Sequence, residues 1–355
     1  MKYVPFGAEL EGVPNIMVDS LRSPDTVLEL SHWPGNRTPA PYKADTSTEI
    51  VLNFLRSPER DYYLGRAAAV SNDHFDIDGL LSTWALLHPE DALARADLLV
   101  RAAYAADFGT YIDEQSIYPC LALNAFEQHA LQPLIYNSGW TGEQITGYLY
   151  RCALAMVAEC LDRPERLRHL WAEEHRGLRA SLEAIRTGRA RVTENTELDL
   201  AIIESDDPLH DYAVNAATSC LRVLTVVGGS TFCFKYRYES FVELITRPAS
   251  PRIRLDALVE ELNSREQRPG RWVSESVVTA HPRLQLYSRA GAPSVSSITL
   301  EQFLDTLSLY IAEGASAPSL QWRAAHGWEH EAGIPRPPSM RKGEKSYANQ
   351  ASSDG

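Results

Sequence analysis

Within the stretch VSNDHFDIDGLLSTWALL, residues 70–87, Asp73, His74, Asp76 and Asp78 crowd into six residues between a short apolar run and a helix-like segment. Three carboxylates this close repel one another once ionised, and a divalent cation is the simplest compensation, since carboxylates and neutral imidazole are among its usual ligands. Alternate side chains share one side of an extended backbone, so His74, Asp76 and Asp78 are expected to converge on one or two cations. Gly79 lets the chain turn into the following helix, whose N-terminus would hold an anion beside the cation. Such a pairing suits phosphoryl hydrolysis, which needs charge neutralisation and a water of lowered pKa. The plainer alternative is a solvated loop whose carboxylates cap a helix.

Short strands and helices must position these residues. DTVLEL (25–30) is a β-prone run ending in the Gly/Pro-rich loop SHWPGNRTPAPYK. DTSTEIVLNFLRS then opens with a helix-start signature and continues with apolar residues at helical spacing. RAAAVSN, DHFDIDG and LLSTWALLHP repeat the order strand, loop, helix, and DLLVRAAYAADFGTYID is read as a third unit, a strand leading into Asp107. Strands alternating with helices predict a parallel sheet with helices on both faces, and such sheets build their sites at the carboxyl ends of the strands. Residues 141–188 read as two long helices, the first opening on a capping-box pattern, Thr141-x-x-Gln144. Strand signals then dominate in LDLAIIES, CLRVLTVVGG and TFCFKYRYESFVELIT, where KYRYE is expected to be a half-exposed strand. These shifts predict a catalytic domain over 1–190 with a helical extension, a smaller α/β or α+β substrate or cap domain over 195–312, and a flexible tail over 313–355.

His-x-Asp-x-Asp-Gly followed by an apolar helix resembles the first motif of the DHH phosphoesterase superfamily. In that superfamily the His and both Asp bind a pair of divalent metals, usually manganese. AADFG, with Asp107, resembles the second motif. VLELSHWPGNRTP is similar to the strand and His-containing loop of the third, and ADTSTEIVLNFL to the Ser/Thr-rich helix start of the fourth, so the motifs stand in circularly permuted order. Ser31-His32-Trp33 replaces the Asp-His-His of the third motif, leaving only His32 matched, and VVGGSTF lacks the Gly-Gly-Gly-His of the substrate domain. The resemblance covers residues 25–115 and implies metal ligands His32, His74, Asp76, Asp78 and Asp107. Of these, His32, Asp76, Asp78 and Asp107 would serve catalysis around two Mn2+, with iron or zinc as substitutes. Asn36, Arg37, Ser47 and Thr48 are candidate substrate contacts, Arg37 being suited to a bidentate phosphate grip. The SHWPGN and DHFDIDG stretches also suggest kinship with uncharacterised bacterial proteins.

The bulk composition narrows the choice of partner. The 355-residue chain has a formal net charge of −13, which disfavours long nucleic acids, whose binding depends on lysine and arginine displacing counterions. A small-molecule substrate is the expected partner. Five cysteines without a Cys-x-x-Cys pair read as reduced thiols of a cytoplasmic protein, and no membrane span or leader is expected. The resulting expectation is a metal-dependent hydrolase of a small phosphorylated or nucleotide-like substrate. Its rivals are a metalloenzyme hydrolysing carbon–nitrogen or carbon–oxygen bonds in specialised metabolism, and a non-catalytic binding protein.

Overall fold

The computed structural model describes residues 1–137 and 139–324. The chain divides into two compact units. The first holds Met1–Arg176 and a returning segment, Val242–Arg247; the second holds Gly177–Phe241 and the described residues from Pro248 onward. The tail expected over 313–355 lies outside the described residues from 325 on.

In the first unit, strands β1 (Lys2–Tyr3), β2 (Asn15–Val18), β3 (Thr26–Leu30) and β4 (Ala69–Ser71) form a sheet in the order β1-β4-β2-β3. Every pairing is parallel. The runs NIMV and AVS are buried at every position, as expected of strands covered on both faces. Because the strands run the same way, the residues that follow β2, β3 and β4 emerge at one edge. Helix α1 (Ser47–Leu55) starts on Thr46, whose hydroxyl accepts the Glu49 N–H at 3.3 Å. After α2 (Arg60–Leu64), helix α3 (Ile77–Leu87) starts on Asp76, and every residue from Ile77 to Leu86 is buried. Such all-round burial marks a helix enclosed by other elements.

The third strand unit is corrected. ADLLVRAAYAAD forms helix α5 (Ala96–Asp107), directly after α4 (Pro89–Ala94), and Asp107 is its last residue. Alanine is the strongest helix former, and the alanines of this run outweigh the strand-like run Leu98-Leu99-Val100. Helix α6 (Glu114–Asn137), which contains Pro119 and Pro133, occupies a stretch for which the sequence predicts no element. Helices α7 (Gly142–Leu154), α8 (Val157–Asp162) and α9 (Arg168–Arg186) follow. The Thr141/Gln144 capping box is formed in both directions.

The second unit is a mixed sheet with helices. Strands β5 (Arg191–Asn195), β6 (Leu200–Ser205), β7 (Arg222–Val227) and β8 (Thr231–Tyr236) precede β9 (Arg252–Ile253), β10 (Arg271–Ser274), β11 (Arg283–Tyr287) and β12 (Gln321–Trp322). Six of them form a sheet in the order β10-β11-β8-β7-β6-β5, antiparallel except for β6 against β7. Helices α10 (Asp211–Ala216), α11 (Asp256–Arg265) and α12 (Leu300–Ala315) complete the unit. KYRYE is not a half-exposed strand: β8 stops at Tyr236, and Arg237 turns inward to a buried ion pair with Glu239. Arg252 is fully buried. It donates to the carbonyls of Arg237, Val277, Thr279 and Ala280 and to the Ser240 hydroxyl, and its guanidinium lies 5.4 Å from the ring centres of Phe241 and Trp322. Burial pulls its pKa down to about 9.

All five cysteines are unbonded thiols. Among the described residues, no helix is long and apolar enough to cross a membrane.

Candidate metal centre

Asp19 directly follows β2, His32 stands two residues after β3, and Asn72 to Asp76 lead from β4 into α3. The parallel sheet therefore delivers all three loops to one place. At its centre is Asp19, held in the left-handed region at φ 48°, where Asp is tolerated better than most residues. His32 Nε2 lies 3.2 Å from Asp19 Oδ1, 3.5 Å from Asp107 Oδ2 and 3.9 Å from Asp78 Oδ2. On the other side, His74 Nε2 lies 3.5 Å from Asp19 Oδ2 and 2.7 Å from Asp76 Oδ2. Two ligand sets result, Asp19–His32–Asp78 and Asp19–His74–Asp76, each with its ligand atoms within 4.8 Å of one another. Asp19 belongs to both.

The surrounding groups fix these side chains. His32 Nδ1 is 2.6 Å from the Asp45 carbonyl. A carbonyl only accepts, so Nδ1 carries the proton and Nε2 faces the carboxylates. His74 repeats the arrangement, with Nδ1 2.8 Å from Asp73 Oδ1 and its backbone N–H donating to Asn72 Oδ1 at 2.9 Å. An imidazole anchored through one nitrogen so that the other faces carboxylates is the usual support of a metal-binding histidine. Asp78 receives the first N–H groups of α1: Ser47 N donates to Oδ2 at 2.7 Å and Thr48 N to Oδ1 at 2.8 Å. The Ser47 hydroxyl donates to Asp19 Oδ1 at 2.8 Å. The positive end of one helix thus holds the carboxylate of another.

Burial sharpens the electrostatics. Desolvation opposes charge on Asp19, but the adjacent imidazoles of His32 and His74 overcome it and hold the carboxyl well below its ordinary range. Desolvation also opposes charge on His32, yet Asp107, Asp19 and Asp78 push its pKa up to about 10, and Asp76, Asp19 and Asp73 raise His74 well above its usual value. Burial and the charge of Asp19 push Asp78 up to about 7; burial, with Asp78 and Asp19 nearby, raises Asp107 strongly. Asp19 Oδ2 and Asp107 Oδ2 are buried without a hydrogen bond.

The structure brings His32, His74, Asp76 and Asp78 into the two sets. It places Asp107 against His32, outside both. The three residues expected to converge on one or two cations divide between the two sets, His74 and Asp76 in one and Asp78 in the other. Asp76 is already the cap of α3 and Asp78 lies in its first turn, so helical twist sends Asp78 toward His32 and α1 while Asp76 stays beside His74. Of the expected substrate contacts, Ser47 and Thr48 are fully buried and hold Asp19 and Asp78. Asn36 folds its own loop, donating to the Trp33 carbonyl at 2.7 Å and accepting from Thr38 N. The Arg37 side chain is exposed. Trp33 packs on His74, ring centres 4.8 Å apart. The residue that the sequence does not reveal is Asp19. Its signal is only the Asp-Ser that closes the short apolar run NIMV.

Two further buried groups crowd the start of α3. Asn72 Nδ2 and the Tyr150 hydroxyl lie 2.2 and 2.7 Å from the position a Cβ on Gly79 would take, with Asp76 Oδ1 at 3.0 Å from the same point. A Cβ there would force both groups to shift.

Residues 1–322 match a family of unknown function, DUF6687, and the chain belongs to that family. No curated protein matches the chain. No solved structure matches it either.

Proposed function

We propose that the protein is a metal-dependent hydrolase that holds two divalent cations, manganese first and iron or zinc as alternatives, on the cluster centred on Asp19. Its substrate is small and phosphorylated or nucleotide-like. The observation that carries this reading is the sharing of one buried carboxylate by two acid–imidazole sets. The residues fit such cations: each set joins carboxylate oxygen to one imidazole nitrogen, a donor mixture suited to manganese, iron or zinc. The buried Oδ2 of Asp19, which lacks a hydrogen bond, also calls for positive charge. When bound, the cations supply charge neutralisation and a water of lowered pKa.

The chain's own residues do the rest. Asp45 O and Asp73 fix the histidine tautomers, and the N-terminus of α1 fixes Asp78. Asp107, raised well above the ordinary carboxylate range and 3.5 Å from His32 Nε2, is placed to hold a proton at Oδ2. Asp76 and Asp73, with side chains 31% and 27% exposed, form the open side through which a substrate reaches the cluster.

Elemental mass spectrometry on protein purified without a His-tag tests this reading, followed by a phosphoester panel. One or two metal equivalents in wild type, lost in Asp76→Asn and in His32→Ala, are expected. No metal after manganese reconstitution overturns the proposal. One observation favours a second reading, hydrolysis of a non-phosphate substrate. Trp33 stands where the resemblance calls for a second histidine and packs its ring on His74, removing a phosphate-contacting group.

A further inference from the structure

Asn72 and Tyr150 carry buried donors that hydrogen-bond nothing among the described residues. Both side chains are fixed. Asn72 accepts the His74 N–H through Oδ1 at 2.9 Å. The Tyr150 ring stacks on Tyr3, centres 4.8 Å apart at 19°, and meets the edge of Phe75 at 5.3 Å. Neither donor can turn to solvent, and a buried donor without an acceptor is costly. Both lie at the start of α3, around the point a Cβ on Gly79 would take, and the acceptor Asp76 Oδ1 lies 3.0 Å from that same point.

We propose that Asn72 and Tyr150 are positioning residues, whose amide and phenol N–H and O–H groups hold the Asp76 carboxylate when it ligates a divalent cation. The inference rests on the two-cation reading above. Asp76 is held through Oδ2 by His74 Nε2 and through Oδ1 by Gly79 N–H, each at 2.7 Å. A cation that takes the Nε2 lone pair and Asp76 together ends the hydrogen bond between them. The carboxylate, partly exposed, then keeps a single backbone donor, and ligating carboxylates are ordinarily held by more. Asn72 and Tyr150 supply the missing donors from the buried side. Gly79 is what allows them so close.

The test is manganese titration of EDTA-stripped protein by calorimetry, paired with the melting temperature of the same stripped samples, for wild type, Tyr150→Phe and Asn72→Ala. Tyr150→Phe keeps the ring and its stacking and deletes only the hydroxyl. The expected result is manganese affinity lowered by about 10- to 100-fold, with the stripped protein's melting temperature unchanged or higher, because a buried hydroxyl without a partner has been removed. Wild-type affinity in Tyr150→Phe overturns the inference, whatever happens to its melting temperature. If Asn72→Ala does not fold, Tyr150→Phe decides alone. Failure of wild type itself to bind manganese overturns the proposed function and this inference with it, a result distinct from equal binding by wild type and variant.

Discussion

Asp19 is the carboxylate that both imidazoles face. Asp19→Asn is therefore expected to abolish both metal equivalents, whereas Asp107→Asn, outside both sets, keeps the stoichiometry; elemental mass spectrometry on the two variants separates them. The histidines also give the metal-stripped protein a characteristic pH dependence. His32 is raised from 6.5 to about 10, so its protonated form contributes stability that is fully present below pH 6.5 and lost as pH rises toward 10. Asp78, raised from 3.8 to about 7, adds a loss in the same direction between those values. Denaturant melts from pH 6 to 10 should show falling stability in stripped protein. Manganese should remove most of that slope, because binding displaces the same protons. A flat profile in stripped protein contradicts the assignment. Most of this site was legible in the sequence, since His74, Asp76 and Asp78 stand together in an unusual run. Asp19 was not, because Asp after a short apolar run is also an ordinary turn residue.

The N-terminus of α1 acts on residues far from it in sequence. Ser47 gives its N–H to Asp78, its hydroxyl to Asp19, and accepts the His32 N–H at 3.3 Å. Ser47→Ala removes the hydroxyl alone, and manganese affinity is expected to fall about tenfold, read by the same calorimetry. Behind it, Asp45 accepts the N–H groups of Ile245 and Thr246 at 2.7 and 3.1 Å and also the Thr246 hydroxyl. Asp45→Ala should raise amide hydrogen exchange at Ile245 and Thr246 above that of wild type, a local opening; unchanged exchange would show that the segment holds by other contacts. Element by element, β3, α1, β4 and α3 were readable from short apolar runs bounded by polar loops. The segment before Asp107 was not: strand and helix compete in an apolar run of this length, and the alanines of α5 decide it. Asp107 reaches His32 from a helix end rather than a strand end, and it stands outside both ligand sets.

At the scale of the molecule, each unit has its own sheet and its own buried polar anchor. In the second unit that anchor is Arg252, whose removal leaves several carbonyls and the Ser240 hydroxyl without a donor. Arg252→Met is expected to destabilise that unit by at least about 3 kcal/mol in denaturant unfolding while the metal stoichiometry of the first unit stays unchanged. Loss of metal in this variant would refute the separation. The strand-rich character of residues 195–312 was legible from composition, but not the return of Val242–Arg247 to the first unit, since a reading along the chain sees neighbours in sequence and not in space.

That return has a consequence for synthesis. Glu243 N donates to the His32 carbonyl at 2.8 Å, and Ile245 N and Thr246 N reach Asp45 across 200 and 201 residues. At about 5–20 residues per second on the ribosome, roughly ten to forty seconds pass between the two ends of this latch. Asp19, His32, His74, Asp76, Asp78 and Asp107 have all been made before it arrives. A nascent chain paused short of residue 242 therefore carries every acid and imidazole of the cluster, with the backbone clasp over His32 still untranslated.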